Sequence, residues 1–401
     1  MSRAFFDVAI MGGGLGGSGL GGALARAGLR VVILERERKF RDRVRGEGMH
    51  AWGVPEARAL GIWERLRAAC GIEVPYWDIH IGERPLARRD FTATTPHGSP
   101  LFSVHHPQMQ EMLLEDAEAS GAEVRRGTTV RGLRGGVRPV VTVEQGDWTS
   151  EIEARLVVAA DGRNSAARKW AGFEVCHDPD ERLFTGVLLE EVDVSPDAWL
   201  GVMNPSNGQE AVLCNLGDGR VRAYLGYPRS AGHRLAKPQD LPRFIAESVR
   251  TGVRGAVYER ARMVGPMASF PSADCWVEHA YAQGIALLGD AAATCDPSFG
   301  QGMALTLRGA RHLRDQLLAT DDWELAGQRY AAAQHRDFRQ VHTLEQWYRT
   351  MFLSTGPEAD SLRARALPAI EADPSRIPDL FGMGPDAATD ESARRRFFGD
   401  D

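Results

Sequence analysis

Residues 5–35 read FFDVAIMGGGLGGSGLGGALARAGLRVVILE, and this stretch decides the fold. FFDVAIM is a β-rich apolar run, residues 15–27 have helical composition, and RVVILE is again apolar and β-branched. Strand, glycine turn, helix and strand over this length make a βαβ unit. Gly12, Gly14 and Gly17 spell GxGxxG at the turn. The first permits the bend, the second lets a pyrophosphate approach the backbone, and the third lets the helix pack closely. The helix start supplies free N–H groups and a partial positive charge. Glu35 ends the second strand, where a carboxylate accepts both hydroxyls of an adenosine ribose and repels a 2′-phosphate. The competing reading is a glycine-rich packing turn, because Gly13, Gly16, Gly19, Gly21 and Gly22 crowd the same stretch. The strand before it and the helix after it favour dinucleotide binding.

Two further apolar runs, RLVVAAD at 155–161 and GIALLGD at 284–290, read as buried parallel strands that each end in an aspartate. That is the edge at which open α/β sheets bind ligands. Asp161 opens DGRNSAAR, although Asp161 or Ser165 can equally cap the short helix that follows. Asp290 can accept from a polyol. DPSFGQGM at 296–303 then leads into a helix near Ala304, whose glycine-flanked start favours an anion in front of it. Its competing reading is a crossover in which the glycines only make the turn. Residues 104–120 form a helix with Met109, Met112 and Leu113 on one stripe. Between about 182 and 270, alternating runs separated by turn residues predict an inserted antiparallel sheet. From Asp321 the pattern is helical, with Phe338, Val341, Leu344, Tyr348, Met351 and Phe352 on one face. The tail after Gly356, rich in Pro, Asp and Arg, is expected to lie over the surface.

The chain has 401 residues, enough for two or three domains, and its 43% hydrophobic and 25% charged residues exclude disordered and fibrous classes. With 48 basic against 54 acidic residues the net charge is -6, the wrong sign for a general phosphate-backbone binder, so no nucleic-acid partner is expected. Five cysteines without a CxxC pair fit a reducing compartment. The strand at 5–11 leaves no room for a signal peptide, and no transmembrane segment is expected, so the sequence predicts a soluble cytoplasmic protein. His105 and His106 are adjacent and no HExxH spacing occurs, so no metal site is expected.

Taken together, GGGLGG with Glu35, then DGRNSAAR, then GDAA with DPSFGQG resemble the group A FAD-dependent aromatic monooxygenases of the para-hydroxybenzoate hydroxylase fold, in that family's order and spacing. The resemblance implies an α/β fold: a glutathione-reductase-type, Rossmann-like FAD-binding domain, discontinuous over 1–75, 98–175 and 276–320. An antiparallel β-rich substrate domain would take 76–97 and 176–275, and 321–401 would be a helical C-terminal segment and tail. It further implies FAD as cofactor and NADH or NADPH as co-substrate. O2 would supply one oxygen atom, through a flavin hydroperoxide, to an aromatic or polycyclic small molecule, in natural-product tailoring. Carried over by motif, Gly12, Gly14, Gly17, Glu35 and the adjacent Arg36 would hold the ADP half of FAD, Arg45 would lie near the pyrophosphate, Asp161 would serve FAD and NAD(P)H, and Asp290 the ribityl chain. Pro297, Gly300, Gln301, Gly302 and Met303 would border the flavin ring through their backbone, and His106 would open a helix beside the cofactor.

The chain departs from the family pattern at Ala293, Ala304, Gly309 and His106, which reads as a subgroup signature. Trp77, His80, Tyr224 and Trp276 are candidates for an aromatic substrate pocket, although core packing is the commoner fate of such residues. Two other flavoprotein readings compete. A flavin-dependent halogenase would carry WxWxIP and a catalytic lysine, and neither is present. A reductase of the geranylgeranyl reductase type is compatible with RGEG at 45–48 and inserts no oxygen. From a different class, a catalytically silent dinucleotide-binding module would hold FAD without turnover. Substrate identity, nicotinamide preference and oligomeric state carry no readable signature.

Overall fold

The structure, a computed structural model, describes residues 4–400. Its first sheet has eight strands. Along its main path lie Tyr281–Ala282, Ile285–Leu287, Trp148–Ala159, Ala4–Met11, Val31–Glu35 and Glu123–Arg126, and Val140–Gln145 and Thr129–Arg134 extend it from the side. The five strands from Ile285–Leu287 to Glu123–Arg126 pair in parallel. Val8 to Met11 sit between Leu156–Ala159 and Val31–Leu34, and all of them are buried, which is why these strands read as unbroken apolar runs. Register does the rest: Met11 pairs with Ala159 and with Leu34, and Ala159 pairs with Leu287. In-register parallel strands end together, so the segments opening at Gly12, Glu35, Asp161 and Asp290 all leave the sheet at one edge.

The helix Leu15–Arg26 packs against His106–Ala119 and Gly302–Ala319. The extra glycines have a role here: a methyl at Gly21 would stand 2.7 Å from Ile33 Cδ1, and one at Gly22 would stand 3.2 Å from Ala117 Cα. The packing reading therefore accounts for Gly21 and Gly22.

A second, seven-stranded sheet runs Arg262–Pro271, Arg182–Glu190, Arg220–Pro228, Gln209–Gly217, Ala198–Asn204, Tyr76–Ile81 and Arg84–Asp90. Residues 76–90 are thus joined to 182–271. The expected antiparallel pattern holds except between Ala198–Asn204 and Tyr76–Ile81, which pair in parallel because the second comes from a separate segment. One face, with Leu183, Val187, Val202, Leu213 and Leu225, packs under the helix Leu241–Thr251. The other face, with Trp77, Phe184, Trp199 and Tyr224, belongs to the same core as the first sheet.

The helix Trp323–Phe352 has 30 residues and buries the apolar face read from the sequence. The tail departs from expectation. It forms the helices Pro357–Ala372, Leu380–Met383 and Glu391–Phe398 and buries Leu380, Phe381, Phe397 and Phe398. Its polar composition hides a few aromatic anchors: Phe397 stacks on Trp347 and Phe398 meets it edge-to-face. Among the described residues no helix is long and apolar enough to cross a membrane, and all five cysteines are free.

Candidate functional site

At the shared sheet edge the glycine turn is held by backbone geometry. Gly12 has φ +103°, and a methyl there would stand 2.5 Å from Ala160 O; one at Gly17 would stand 2.0 Å from Gly12 O. Gly14 differs, because a methyl there meets only Gln110 Nε2 at 3.9 Å, leaving the space before it open. Gly14 precedes Leu15–Arg26 without a side-chain cap, so the first N–H groups of that helix point into this space. Glu35, 7% exposed, accepts from Gly13 N (2.8 Å) through Oε2 and from Glu37 N (2.8 Å) through Oε1. These two donors fix the carboxylate beside the turn. Arg36 points to solvent and pairs with Glu37 at 3.5 Å.

Asp161 caps the short helix that follows it. Its Oδ2 accepts from Ala166 N (2.8 Å) and Ala167 N (3.3 Å) at the start of a short helix, while its buried Oδ1 has no partner. Ser165 also caps, accepting from Arg168 N at 3.3 Å. Burial pushes the Asp290 carboxyl up, and Arg45, Arg163 and Arg168 oppose it, so charges from two other segments converge on Asp290. Arg45 itself is exposed on a strained segment: Val44, a buried β-branched residue, has φ +53°. That segment is pinned from the second sheet. Arg222, fully buried, donates to Glu47 Oε2 (2.7 Å) and Asp42 Oδ2 (2.7 Å), and Tyr224 Oη donates to Arg45 O (2.6 Å). Glu47 Oε1 also accepts from His106 N (2.8 Å). Burial pushes the His106 imidazole down to about 4, so it stands neutral at the helix start.

The turn at 296–303 is equally constrained. Pro297–Phe299 form a single 3-10 turn capped by Asp296, Gly300 follows in the left-handed region at φ +66°, and Gly302–Ala319 begins with no side-chain cap and no acidic residue in its first turn. Gln301 is fully buried and its side chain is consumed internally, accepting from Trp52 Nε1 (2.9 Å) and donating to Phe299 O (2.7 Å). His50 Nε2 lies 2.9 Å from Phe299 O, an acceptor only, so that nitrogen carries the hydrogen. Burial pushes His50 down to about 4. Nothing lies within 4 Å of a methyl placed on Gly302, and Met303 is buried behind it.

Trp77 lies beside this turn. With Ile79, Gly201, Val202, Met203, Glu210, Val212, Ser298, Phe299, Leu353 and Phe381 it walls a small cavity of about 30 Å³. His80 does not join it: strand alternation turns it to the opposite face, where its neighbour Val202 belongs to the core under Leu241–Thr251. Tyr224 stacks on Phe184 (5.3 Å) and braces residue 45. Trp276 packs on Phe338 (5.5 Å) and His342 (5.2 Å), away from the Trp77 cavity.

Sequence reading missed His50, Glu210 and the Arg222 triad. It also missed a cluster in which the ligating atoms of Asp178, Asp274 and His342 lie within 4.8 Å of one another. Burial pushes Asp274 up to about 8, with Asp296 adding to the effect, and Arg349 binds Asp296 at 2.6 Å. No local spacing announces this cluster, since its members come from three distant segments. A second cavity, about 720 Å³ and open to solvent, lies beside Asp178, lined by Arg163, Ser165, Arg168, His177 and Cys275.

The family model described as "FAD binding domain" matches residues 6–329. The chain is 30% identical over 328 residues to rifampicin monooxygenase of Streptomyces venezuelae, covering 80% of this chain and 66% of that protein, so it spans just under two thirds of that relative's length. It is 28% identical over 394 residues to 6-methylpretetramide 4-monooxygenase of Streptomyces rimosus, covering 93% and 90%. Among solved structures, p-nitrophenol 4-monooxygenase from Pseudomonas putida superposes with a TM-score of 0.80 at 17% identity, covering 97% of this chain and all of that one, which establishes the shared fold.

Proposed function

The chain belongs to the FAD-binding domain family, and from that premise we propose that it is a monooxygenase that hydroxylates an aromatic or polycyclic small molecule. The reaction consumes NAD(P)H, a proton and O2 and yields NAD(P)⁺, water and the hydroxylated product. FAD, when bound, supplies the activation of O2. The names and coverage of the two Streptomyces relatives support a polycyclic natural-product substrate.

One observation carries the reading: a polar edge suited to a dinucleotide and an aromatic cavity share the turn at 296–303. The buried Asp161 Oδ1 lacks a partner, the Glu35 carboxylate is fixed beside an open glycine turn, and two helix starts present uncapped N–H groups. These features fit FAD. In this reading Gly12, Gly14, Gly17, Glu35 and Arg36 serve the ADP half, Arg45, His106, Asp161 and Asp290 the middle of the cofactor, and Pro297, Gly300, Gln301, Gly302 and Met303 the ring. Uncapped N–H groups at Gly302 and Met303 favour negative charge before them, as a reduced flavin requires. Trp77, Phe299 and Phe381 exclude water from the reacting space. The enzyme is read as cytoplasmic and without a nucleic-acid partner, which the free cysteines and the net charge of -6 support.

Anaerobic mixing of the purified protein with NADPH and with NADH, followed by air, tests the proposal. Bleaching of the flavin band and peroxide release on reoxidation are expected. A preparation that contains no flavin and binds none overturns it.

A further inference from the structure

We propose that Glu210 reads a hydroxyl group on the substrate, so that the pocket selects a hydroxyarene over its O-methylated counterpart. The inference rests on the monooxygenase reading and names a specificity-determining residue within it. Among the residues walling the Trp77 cavity, only Trp77, Glu210 and Ser298 carry polar side-chain atoms; the rest are apolar or glycine. Glu210 is 2% exposed. One of its oxygens binds Arg182 and the other accepts from Ser298 Oγ at 2.6 Å. A carboxylate offers about four acceptor sites, so these contacts leave it able to take another hydrogen bond. Ser298 belongs to the turn proposed to border the flavin ring, so a hydroxyl held by Glu210 is held beside that ring.

The sheet makes room for this arrangement. Gly226 lies opposite Glu210 in register, and a methyl there would stand 1.7 Å from Glu210 Oε1; a methyl at Gly201 would stand 2.4 Å from Trp77 Nε1. Neither glycine has a positive φ, so neither is present for backbone conformation. Glycine inside a strand marks close approach by another group, and here the groups are the two polar heads of the pocket. Trp77 is 7% exposed and its indole N–H has no partner, although buried indoles ordinarily find one. A donor without an acceptor and a carboxylate with spare capacity, on the walls of one aromatic slot, specify a flat ring bearing a hydroxyl and a second oxygen. A ring enters by displacing Phe381, which meets Trp77 edge-to-face at 4.7 Å from the single-turn helix Leu380–Met383.

The test titrates the holoenzyme with 1-hydroxyanthraquinone and with 1-methoxyanthraquinone, following tryptophan fluorescence. The wild type is expected to bind the hydroxy compound tenfold or more tightly than the methoxy one. Glu210→Gln should bring the two within twofold of each other at unchanged FAD content, and Glu210→Asp should restore part of the preference. If Glu210→Gln fails to fold because Arg182 is left unpaired, the double variant R182M/E210M replaces it and must lose the preference likewise. Equal affinities in the wild type, binding of neither compound, or a preference that survives both variants overturns the proposal. Flavin bleaching by NADPH in the same preparation reports separately on the monooxygenase reading. Bleaching without hydroxyl preference sinks only the role of Glu210, and preference without bleaching sinks only the monooxygenase reading.

Discussion

The sheet edge at Gly12, Asp161 and Asp290 and the pocket around Glu210 adjoin the same turn, yet they are built by opposite means. The edge is made of backbone: in-register parallel strands, glycines that permit close approach, and uncapped helix starts. The pocket is made of side chains from strands 76–81, 198–204 and 209–217, from the turn at 296–303 and from the C-terminal helices. Backbone recognition needs particular residues at fixed local spacing. Side-chain recognition needs only that distant positions meet, so it leaves no local pattern.

If the edge depends on backbone clearance, its glycines should be the least forgiving positions in the protein. A methyl at Gly17 overlaps Gly12 O, and neither partner can rotate away. Gly17→Ala is expected to cost more than about 4 kcal/mol and to yield protein without flavin, read from the visible absorbance and thermal melting of the purified variant. The methyl of Gly226→Ala meets only the carboxyl end of the Glu210 side chain, which can turn aside by giving up its contacts with Arg182 and Ser298, so this variant should lose less stability than Gly17→Ala and retain FAD. A reversed order would break the contrast between the two regions.

The joint between the regions is the buried triad of Arg222, Glu47 and Asp42. Arg222→Met leaves two carboxylates facing an apolar side chain and should destabilise the protein by about 3–5 kcal/mol in urea titration. Adding Glu47→Gln to that variant should recover part of the loss. A single variant within about 1 kcal/mol of wild type would mean that the triad does not hold residues 42–47 in place.

These contrasts explain what the sequence disclosed. The βαβ unit, the strands ending at Asp161 and Asp290 and the long C-terminal helix were legible because period and turn chemistry are local. His80 is a candidate because it falls in the inserted domain, but strand alternation sends it to the face away from Trp77. The tail reads as surface because its few aromatic anchors are outnumbered by polar residues. Glu210, Arg222 and the cluster of Asp178, Asp274 and His342 each acquire a role only through partners dozens of residues or more away.

His50 extends the comparison to pH. Burial holds its imidazole at about 4 in the folded protein against 6.5 when exposed, so the unfolded chain takes up the proton first. Its contribution is complete above about pH 6.5 and is lost as the pH falls toward 4, by about 3 kcal/mol in all. The urea midpoint of the wild type should therefore drop more steeply between pH 7 and pH 4.5 than that of His50→Asn. Parallel curves for the two proteins would show that His50 is not held neutral.

The smallest expected effect is the most discriminating. Gly14 belongs to the same GxGxxG as Gly17, but its φ of −79° suits any residue and an added methyl meets only Gln110 Nε2 at 3.9 Å. Stability therefore does not require glycine there; only the close approach of a ligand to the backbone does. Gly14→Ala should leave the melting temperature of the FAD-free protein within about 2 °C of wild type, and should weaken FAD binding by about tenfold, or about 1.4 kcal/mol. Loss of stability in the FAD-free variant would make Gly14 a packing residue like Gly21. Unchanged stability with unchanged FAD affinity would mean that the pyrophosphate does not lie against this turn, and the cofactor would then have to be held by the other segments, those at 35–45, 106, 161, 290 and 297–303.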